Sequence, residues 1–318
     1  MSTIASAYTE AQNAAKAVAG SQHYPSGALY VVATPIGNLA DISLRALYLL
    51  GLADTIACED TRHTGQLLHA YGLHKPLLAL HEHNEMEAAQ NVIAKLQAGE
   101  RVAYVSDAGT PAVSDPGSRL VAAVAAAGFR TLPLPGASSV TAVLSVAGCV
   151  AADTSRGSQV AGFVFAGFLP TKGMERSEAI KQLAAEPKAV VILEAPHRID
   201  VLFGDLAHLG ERRVTVGREL TKQFESVVTI PASDLPAWLA AKPDNARGEF
   251  ALVVHPQGLP DKASSSAGDA VVTTSATTLL TRLLQDLPLK TAVQIAVDVS
   301  GLPKNALYDQ ALKLKNAD

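Results

Sequence analysis

The chain has 318 residues, of which 48% are hydrophobic and 18% are charged, and its formal net charge at pH 7 is −4. This composition excludes a wholly disordered chain, and no apolar run is long enough to predict a membrane span. The negative balance excludes a protein that binds nucleic acid through its overall charge, so any such contact must come from a local basic cleft. The two cysteines, Cys58 and Cys149, are too few for a disulfide framework, which favours a reduced, cytoplasmic protein.

Residues 1–26 are rich in alanine, serine and glutamine and lack a compact apolar run, which predicts a disordered leader and no targeting segment. After it, short β-branched runs alternate with helical patterns. The predicted strands cover 29–33, 54–58, 101–105 and 129–134, and the predicted helices cover 41–50, 59–71, 84–98, 116–127 and 140–147. Such alternation predicts a parallel sheet with right-handed crossovers, in a first α/β domain at 27–155.

A second α/β domain is predicted at 156–256. Its strands are expected at 162–168, 189–193, 213–218, 225–230 and 249–254, with helices at 175–184 and 233–240, which together indicate a mixed sheet. Residues 257–275 contain a run of three serines and predict a linker. The last segment, 276–318, predicts a small helical domain in which helices at 291–299 and 304–315 have helix-turn-helix spacing.

Three loops at the carboxyl ends of predicted strands are candidates for ligand binding: 34–38, 105–117 and 135–139. The longest, 105–117, holds more Gly, Pro, Ser, Asp and Thr than a turn requires. The first has a single glycine, Gly37, whereas a dinucleotide loop needs three to approach a pyrophosphate. A nicotinamide enzyme stays open as an alternative, since Glu59 and Asp60 end the second strand; a phosphate-free ligand such as S-adenosylmethionine fits the loops better.

The segment from Cys58 to His63 places Glu59, Asp60 and Arg62 just after a strand. Alone it is typical of a helix start, because acids stabilise the amino-terminal dipole, but beside two other strand-end loops it indicates a site. The run at 81–83 contains two histidines and a glutamate but no third ligand at an evident spacing, so no metal site is predicted. No Gly-x-Ser-x-Gly elbow or Cys–His pairing indicates a covalent nucleophile.

Three basic pairs fall in predicted turns of the second domain. They are Lys172 with Arg176, His197 with Arg198, and Arg218 with Lys222. Singly each is typical of a solvated surface, but together they predict a wall that contacts RNA phosphates. The helical tail has no long basic run, and both a docking or dimer element and an RNA-binding element remain open for it.

Nine motifs, met in order along the chain, carry a resemblance. They are TPIGNLADI at 34–42, EDTR at 59–62, SDAGTP at 106–111, SDPG at 114–117, PGASS at 135–139, FAGFLP at 165–170, EAPHR at 194–198, GRELTK at 217–222 and GEFAL at 248–252. As an ordered set they resemble the tetrapyrrole methylase superfamily, and within it the methyltransferases that modify a cytidine ribose 2′-oxygen in 16S rRNA. The tail resembles the small carboxy-terminal domain of those enzymes.

The resemblance implies a two-domain tetrapyrrole-methylase-like α/β fold, usually a homodimer, with S-adenosylmethionine in the cleft between the domains. The implied cofactor-binding residues are Pro35, Ile36, Gly37, Asp107, Thr110, Val113, Ser138, Ser139, Phe168, Leu169 and Phe250. Members acting on tetrapyrroles commonly have an acid where this chain has Thr110, and Asp107 is the candidate to replace it. The implied partner is 16S rRNA in the small ribosomal subunit, with no metal and no membrane.

Transfer of a methyl group to a ribose hydroxyl needs a base or a charge that stabilises the developing alkoxide. The candidate bases are Glu59 and Glu194, and Arg62 or Arg198 is expected to orient the phosphate or ribose. Two alternatives remain open: a methylase of corrin or porphyrin precursors, and a non-catalytic RNA-binding factor that keeps the cofactor loops as scaffold.

Overall fold

The computed structural model of the chain describes residues 2–81, 84–114, 116–149, 162–256, 274–300 and 302–315. Its contacts divide the chain into two compact units, Met1–Gln257 and Gly258–Asp318. The division falls one residue after the predicted start of the linker. The predicted boundary between the first two domains, at 155, lies outside the described residues.

The first sheet contains five strands. They are β1 (Ala28–Val32), β2 (Thr55–Cys58), β3 (Leu77–Ala79), β4 (Arg101–Val105) and β5 (Arg130–Leu134), in the order β3-β2-β4-β1-β5. Each pair is parallel, which confirms the predicted parallel sheet. The helices of this half are α1 (Ser2–Ala19), α2 (Leu44–Leu52), α3 (Thr61–Ala70), α4 (Glu85–Gln97), α5 (Ser118–Ala126) and α6 (Ser139–Ala147). Parallel strands direct their carboxyl ends to one edge, so the loops after β1, β2, β4 and β5 share that edge.

The second sheet is mixed, as predicted. Its strands are β6 (Phe163–Phe168), β7 (Ala189–Glu194), β8 (Arg213–Arg218), β9 (Ser226–Pro231) and β10 (Phe250–Val254), in the order β6-β7-β10-β8-β9. Only β6 and β7 pair in parallel among its described strands; the other pairs are antiparallel. Its helices are α7 (Gly173–Ala185), α8 (Ile199–Ala207) and α9 (Leu235–Ala240).

Helix α6 joins the two sheets. It follows the last strand of the first sheet, yet Val140 and Val143 are buried in one cluster with Val191, Leu220 and Val253. These three residues belong to the second half of the unit, which contains the second sheet. Apolar burial of this kind supplies roughly 25 cal/mol per Å² of surface removed from water. The strand-end edge of the first sheet is therefore held against one face of the second.

The amino-terminal segment is helical, so the predicted disordered leader is wrong over Ser2–Ala19. Ala15 is fully buried against Leu47 and Tyr71, and the Tyr8 ring meets the Tyr71 ring edge-on with centroids 5.4 Å apart. Alanines at four-residue spacing form a low-profile helical stripe that packs closely without a strongly apolar run. That is why the composition resembled disorder.

Three helix starts differ from prediction, either in position or in how the start is capped. Ser43 caps α2, with its Oγ 3.1 Å from the Ala46 amide, while Asp41 ends a short 3-10 helix, Leu39–Asp41. Asn84 precedes α4 as predicted but makes no capping-box contact; its Oδ1 accepts from the His81 amide at 2.8 Å. The short strand β3 and helix α8 were not predicted.

The third start is that of α5, which begins at Ser118, two residues later than expected. The predicted cap, Asp115, lies outside the described residues. The Glu85 carboxylate from α4 accepts from the amides of Gly117 at 3.0 Å, Arg119 at 3.0 Å and Leu120 at 3.3 Å. A buried negative charge at a helix amino terminus is stabilised by both the hydrogen bonds and the helix dipole.

Gly117→Ala is expected to lower the free energy of unfolding by about 2–4 kcal/mol. Gly117 has φ +121°, and a Cβ there would lie 2.3 Å from Cε1 of the buried Tyr104 ring. Urea denaturation followed by circular dichroism measures the change. Gly99→Ala is the matched control, because Gly99 has φ +85° and a Cβ there would meet nothing within 4 Å, so this variant carries the backbone strain alone. Equal losses in the two variants would contradict the steric account.

The second unit contains α10 (Thr274–Asp286), α11 (Leu289–Ser300) and α12 (Lys304–Lys315). Leu280, Val293 and Leu307, one from each helix, are fully buried in a common cluster. The last two helices match the predicted helix-turn-helix spacing. Across the part of the chain that the structure describes, no helix is long and apolar enough to span a membrane.

Candidate functional site

The three predicted ligand loops meet at the carboxyl edge of the first sheet. Thr34 and Gly109 form an antiparallel bridge, with N···O distances of 2.9 Å and 3.1 Å. Thr110 Oγ1 donates to the Ala137 carbonyl at 3.1 Å, which ties the β4 loop to the β5 loop. Gly109 has φ +79°, and a Cβ at this position would lie 3.2 Å from Ile36 Cγ2. A glycine is therefore needed where these loops approach one another.

A cavity of about 320 Å³ opens where this edge faces the second sheet. It is lined by Ile36, Ser139, Phe168, Leu193, Glu194, Ala195, Pro196, Leu220, Glu249, Phe250 and Ala251. A mainly apolar wall with a few polar groups, at this volume, is typical of a small-molecule site. The lining comes from both halves of the first unit.

Four of the predicted cofactor-binding residues line this cavity: Ile36, Ser139, Phe168 and Phe250. The predicted base Glu194 lines it as well. The remaining predicted residues are not among those that line it. They are Pro35, Gly37, Asp107, Thr110, Val113, Ser138 and Leu169.

Most of those remaining residues connect loops or pack in the structure around the cavity. Thr110 joins two loops, as described, and Asp107 Oδ1 accepts from the Asp60 amide at 3.2 Å, which connects the ends of β4 and β2. Leu169 is buried in the core of the second half. A Cβ on Gly37, at φ +156°, would lie 2.4 Å from Lys222 Cγ, so the lysine stem rests against the glycine. The prediction of cofactor contact for these residues stays a prediction.

Sequence reasoning missed six lining residues: Leu193, Ala195, Pro196, Leu220, Glu249 and Ala251. Each lies next to or within a quoted motif, but the motif alone did not show which residues face the cavity. The pairing register of the strands shows which residues come together in the wall. In β10, Phe250 is opposite Glu194 and Ala251 is opposite Leu193, which brings the ends of β7 and β10 into one wall.

Glu194 is the buried polar group of this wall. Its side chain has an exposed fraction of 0%, and Oε1 accepts a hydrogen bond from the Ala195 amide at 2.9 Å and forms an ion pair with Arg198 Nε at 3.1 Å. The other oxygen, Oε2, is buried and has no hydrogen-bond partner among the described residues. An ionised oxygen left unpaired in a dry environment is costly, so this atom is a candidate contact for a ligand.

The other candidate base, Glu59, follows β2, which β4 separates from β1 in the sheet. Its neighbour Asp60 caps α3, and Asp60 Oδ1 accepts from the Arg62 amide at 2.8 Å. Hydrogen bonds from the Arg62 side chain and backbone hold the pKa of Asp60 well below its usual range. Asp60 is thus a permanent anion that orients Arg62, whose side chain is 87% exposed.

The predicted basic wall separates into buried and exposed residues. Arg176 is buried and bonds Asp205 at 2.6 Å and the Pro170 carbonyl at 2.9 Å. Arg198 bonds Glu194 and the Leu169 carbonyl, and Arg218 bonds Ser226 Oγ at 3.1 Å and the Phe224 carbonyl at 3.0 Å. These guanidinium groups hold loops of the second half in place.

Lys222 also has protein partners. Its Nζ lies 2.8 Å from Glu219 Oε1 and 3.2 Å from Glu249 Oε2. Burial lowers the pKa of Lys222, but the hydrogen bonds that it donates to both glutamates outweigh that effect and raise its pKa above the usual value. The residues of this wall that remain exposed are Lys172, which directly precedes α7, and His197, which lies in the 3-10 helix Pro196–Arg198.

Neither a metal cluster nor a reactive thiol emerges from the described residues. Within that part of the chain, no three His, Cys, Asp or Glu side chains are grouped to hold a metal ion. Two of the residues at 81–83, Glu82 and His83, lie outside it. Burial raises the pKa of the Cys58 thiol to about 11, so this thiol stays protonated at neutral pH.

Comparison with known proteins identifies the family. Residues 28–236 match the family described as Tetrapyrrole (Corrin/Porphyrin) Methylases, and residues 270–315 match the RsmI C-terminal HTH domain. The chain belongs to the tetrapyrrole methylase family. It is a methyltransferase, so the alternatives of a nicotinamide enzyme and a non-catalytic RNA-binding factor are wrong.

Curated relatives match nearly the whole chain, and those compared carry one name, ribosomal RNA small subunit methyltransferase I. The Pseudomonas aeruginosa protein is 41% identical over 91% of this chain and 98% of its own. The Escherichia coli O157:H7 protein is 43% identical over 90% of this chain and 95% of its own. A Neisseria meningitidis serogroup A relative is 44% identical over 91% and 94%. This tetrapyrrole methylase therefore belongs with the relatives of that name, as the ordered motifs indicated.

Solved structures support the fold. Cobalt precorrin-4 methyltransferase aligns with a TM-score of 0.54 at 16% identity, covering 73% of this chain and 98% of that one. The methyltransferase CobJ aligns with a TM-score of 0.53 at 20% identity, covering 73% and 95%. At such identities the likeness concerns architecture alone, and it confirms the predicted two-sheet fold.

Proposed function

We propose that this protein transfers a methyl group from S-adenosylmethionine to the 2′-oxygen of a cytidine ribose in the decoding region of 16S rRNA, acting on the small ribosomal subunit. The observation that supports S-adenosylmethionine as the methyl donor is the cavity between the strand-end loops and the second sheet. The name shared by relatives at 41–44% identity supports the choice of ribosomal RNA as acceptor.

The cavity suits this methyl donor. Its volume of about 320 Å³ lies in the range of small-molecule pockets, and its walls include Phe168, Phe250, Ile36 and Leu220. The loop after β1 offers a single glycine and no phosphate cradle, as a phosphate-free ligand requires. When bound, S-adenosylmethionine supplies an electrophilic methyl group on a positively charged sulfur.

The residues of the chain contribute mainly by positioning. Loops fixed by the Thr34–Gly109 bridge and the Thr110 hydrogen bond hold their shape before a ligand arrives. Positioning an acceptor oxygen in line with a methyl carbon in a dry cleft can lower a barrier by about 7–11 kcal/mol. Removal of the hydroxyl proton is then assigned to Glu59, because both protein contacts of Glu194 favour a fixed, buried acceptor.

RNA contact is assigned first to exposed cations. Arg62 is 87% exposed beside Glu59 and is oriented by Asp60, which places a charge near the proposed base. Lys172, directly before α7, and His197, in the 3-10 helix Pro196–Arg198, are also exposed. Arg176, Arg198, Arg218 and Lys222 support the loops behind them. The helical unit that matches an HTH domain is proposed as a further RNA-binding element.

The protein is also proposed to form a homodimer. Strand β6 lies at the edge of the second sheet, and its Phe163 is 50% exposed. Apolar edge strands favour association with another chain. Sedimentation equilibrium at micromolar concentration measures the mass; a monomer throughout the range would contradict the dimer.

The experiment that tests the function uses small ribosomal subunits purified from cells that lack this enzyme. Incubation with S-adenosylmethionine labelled in its methyl group is expected to place one label on 16S rRNA. Nuclease digestion then maps the nucleotide, and the resistance of the neighbouring phosphodiester to alkali identifies a methylated 2′-oxygen. Label on a base would defeat the ribose assignment, and label on a porphyrin precursor instead of RNA would restore the tetrapyrrole alternative.

A further inference from the structure

One carboxylate oxygen in the cavity wall makes no hydrogen bond to the part of the chain that the structure describes. Glu194 ends β7, and its Oε1 accepts a hydrogen bond from the Ala195 amide and is ion-paired with Arg198 Nε. Oε2 is equally buried but accepts no hydrogen bond from the described residues. Native proteins seldom leave a buried ionised oxygen unpaired, because the group loses its hydration and receives nothing in return.

The carboxylate is also fixed in direction. Arg198 contacts Glu194 with Nε and the Leu169 carbonyl with a terminal nitrogen, so it bridges the end of β7 and the loop after β6. The Glu194 side chain is 0% exposed and Arg198 is 20% exposed, which leaves the pair little freedom to rearrange. An acceptor held in one orientation by neighbouring hydrogen bonds is preorganised for a partner on its free side.

The second carboxylate of the wall differs in both respects. Glu249 is 77% exposed, and its Oε2 lies 3.2 Å from Lys222 Nζ. Its charge is therefore hydrated and balanced by a neighbouring cation. Glu194 alone, among the carboxylates that line this cavity, combines burial with an unused oxygen.

We propose that Glu194 Oε2 accepts a hydrogen bond from an N–H or O–H group of bound S-adenosylmethionine, and that Arg198 is the positioning residue that aims it. The inference rests on the proposed function in taking this cavity as the donor site. The ligand offers such donors in its ammonium, ribose and adenine groups. The proposal assigns Glu194 to the binding of S-adenosylmethionine, in place of the role as general base that the sequence suggested.

Glu194→Gln tests the proposal because it replaces one hydrogen-bond acceptor, Oε2, by a hydrogen-bond donor. The Ala195 amide and Arg198 both need an acceptor, so the glutamine oxygen stays with them and its NH₂ group takes the place of Oε2. The glutamine NH₂ group then faces the N–H or O–H group of the ligand, and both are hydrogen-bond donors. The dissociation constant of S-adenosylmethionine, measured by titration calorimetry, is expected to rise about 10- to 100-fold, as for the loss of a hydrogen bond to a charged group. Glu211→Gln, an exposed carboxylate outside the cavity wall, controls for the lost charge.

Two further ligands show which part of S-adenosylmethionine donates the hydrogen bond to Glu194. If Glu194 contacts the amino-acid part, the variant weakens S-adenosylhomocysteine and leaves 5′-methylthioadenosine unchanged; if it contacts the nucleoside, both weaken. Unchanged affinity for S-adenosylmethionine in a variant with the wild-type urea midpoint would overturn the proposal. Failure of the wild-type protein to bind S-adenosylmethionine would instead reject the donor site itself.

Arg198→Lys provides a second route should the amide variant unfold. Lysine keeps the positive charge beside Glu194 but cannot contact both Glu194 and the Leu169 carbonyl in the planar geometry of arginine. It is expected to weaken the same ligands as Glu194→Gln by a smaller factor. A pattern of losses across the ligands that differs from that of Glu194→Gln, or no loss at all, would contradict the positioning role of Arg198.

Discussion

Replacing Glu59 by glutamine is expected to lower the single-turnover rate of methyl transfer by about 10²- to 10⁴-fold, the usual contribution of a general base. Glutamine keeps the size of the side chain but cannot take the ribose proton. Glu59 is not among the residues that line the donor cavity, so the affinity for S-adenosylmethionine should stay within a factor of about two of wild type. Rapid-quench assays on small subunits with labelled donor measure the rate, and calorimetry measures the affinity.

The matched control for this experiment is Glu87→Gln, which removes an exposed carboxylate on α4. It should react at the wild-type rate. A Glu59 variant that binds the donor normally and keeps its single-turnover rate would remove Glu59 from the role of base. A raised Michaelis constant for the ribosomal subunit with an unchanged rate would assign Glu59 to RNA binding instead.

Glu85→Ala is expected to lower the free energy of unfolding by about 3 kcal/mol. One carboxylate oxygen accepts from the amides of Gly117, Arg119 and Leu120, and two of these hydrogen bonds are fully buried. Alanine leaves those amides without the acceptor and removes the negative charge from the start of α5. Urea unfolding followed at 222 nm gives the change in midpoint.

Glu85→Gln separates the hydrogen bonds from the charge. Its side-chain oxygen can still accept from the Gly117 amide, so it should recover more than half of the stability that alanine loses. Because the loop from Ser106 to Gly117 ends at this cap, Glu85→Ala should also weaken donor binding. Equal stability of the alanine and glutamine variants would show that the acceptor oxygen contributes nothing.

Much of the fold follows from local pattern. The strands of both sheets were predicted within one or two residues, apart from the three-residue β3, because buried β-branched runs bounded by turns are a strong signal. The three ligand loops were placed correctly for the same reason: in a parallel sheet, strand direction alone puts their ends on one edge. Four of the predicted donor-site residues, Ile36, Ser139, Phe168 and Phe250, line the cavity.

What the sequence did not reveal depends on partners distant along the chain. The cap of α5 comes from Glu85, more than 30 residues away, whereas local reasoning offered Asp115. Arg176 resembles a surface cation in sequence but is buried by contacts with Asp205 and Pro170. Helix α1 was missed because its alanine stripe gains stability only by packing on Leu47 and Tyr71. Tertiary burial decided each case.

Strand β10 has a consequence for how this enzyme is made. It is the last strand of either sheet to be synthesised, yet it lies between β7 and β8 and brings Phe250 opposite Glu194 on one side and Arg218 on the other. A nascent chain that ends before Phe250 lacks both the middle of the second sheet and a wall of the cavity. Affinity for the methyl donor should therefore appear only after translation has passed residue 254 and that strand has left the ribosome.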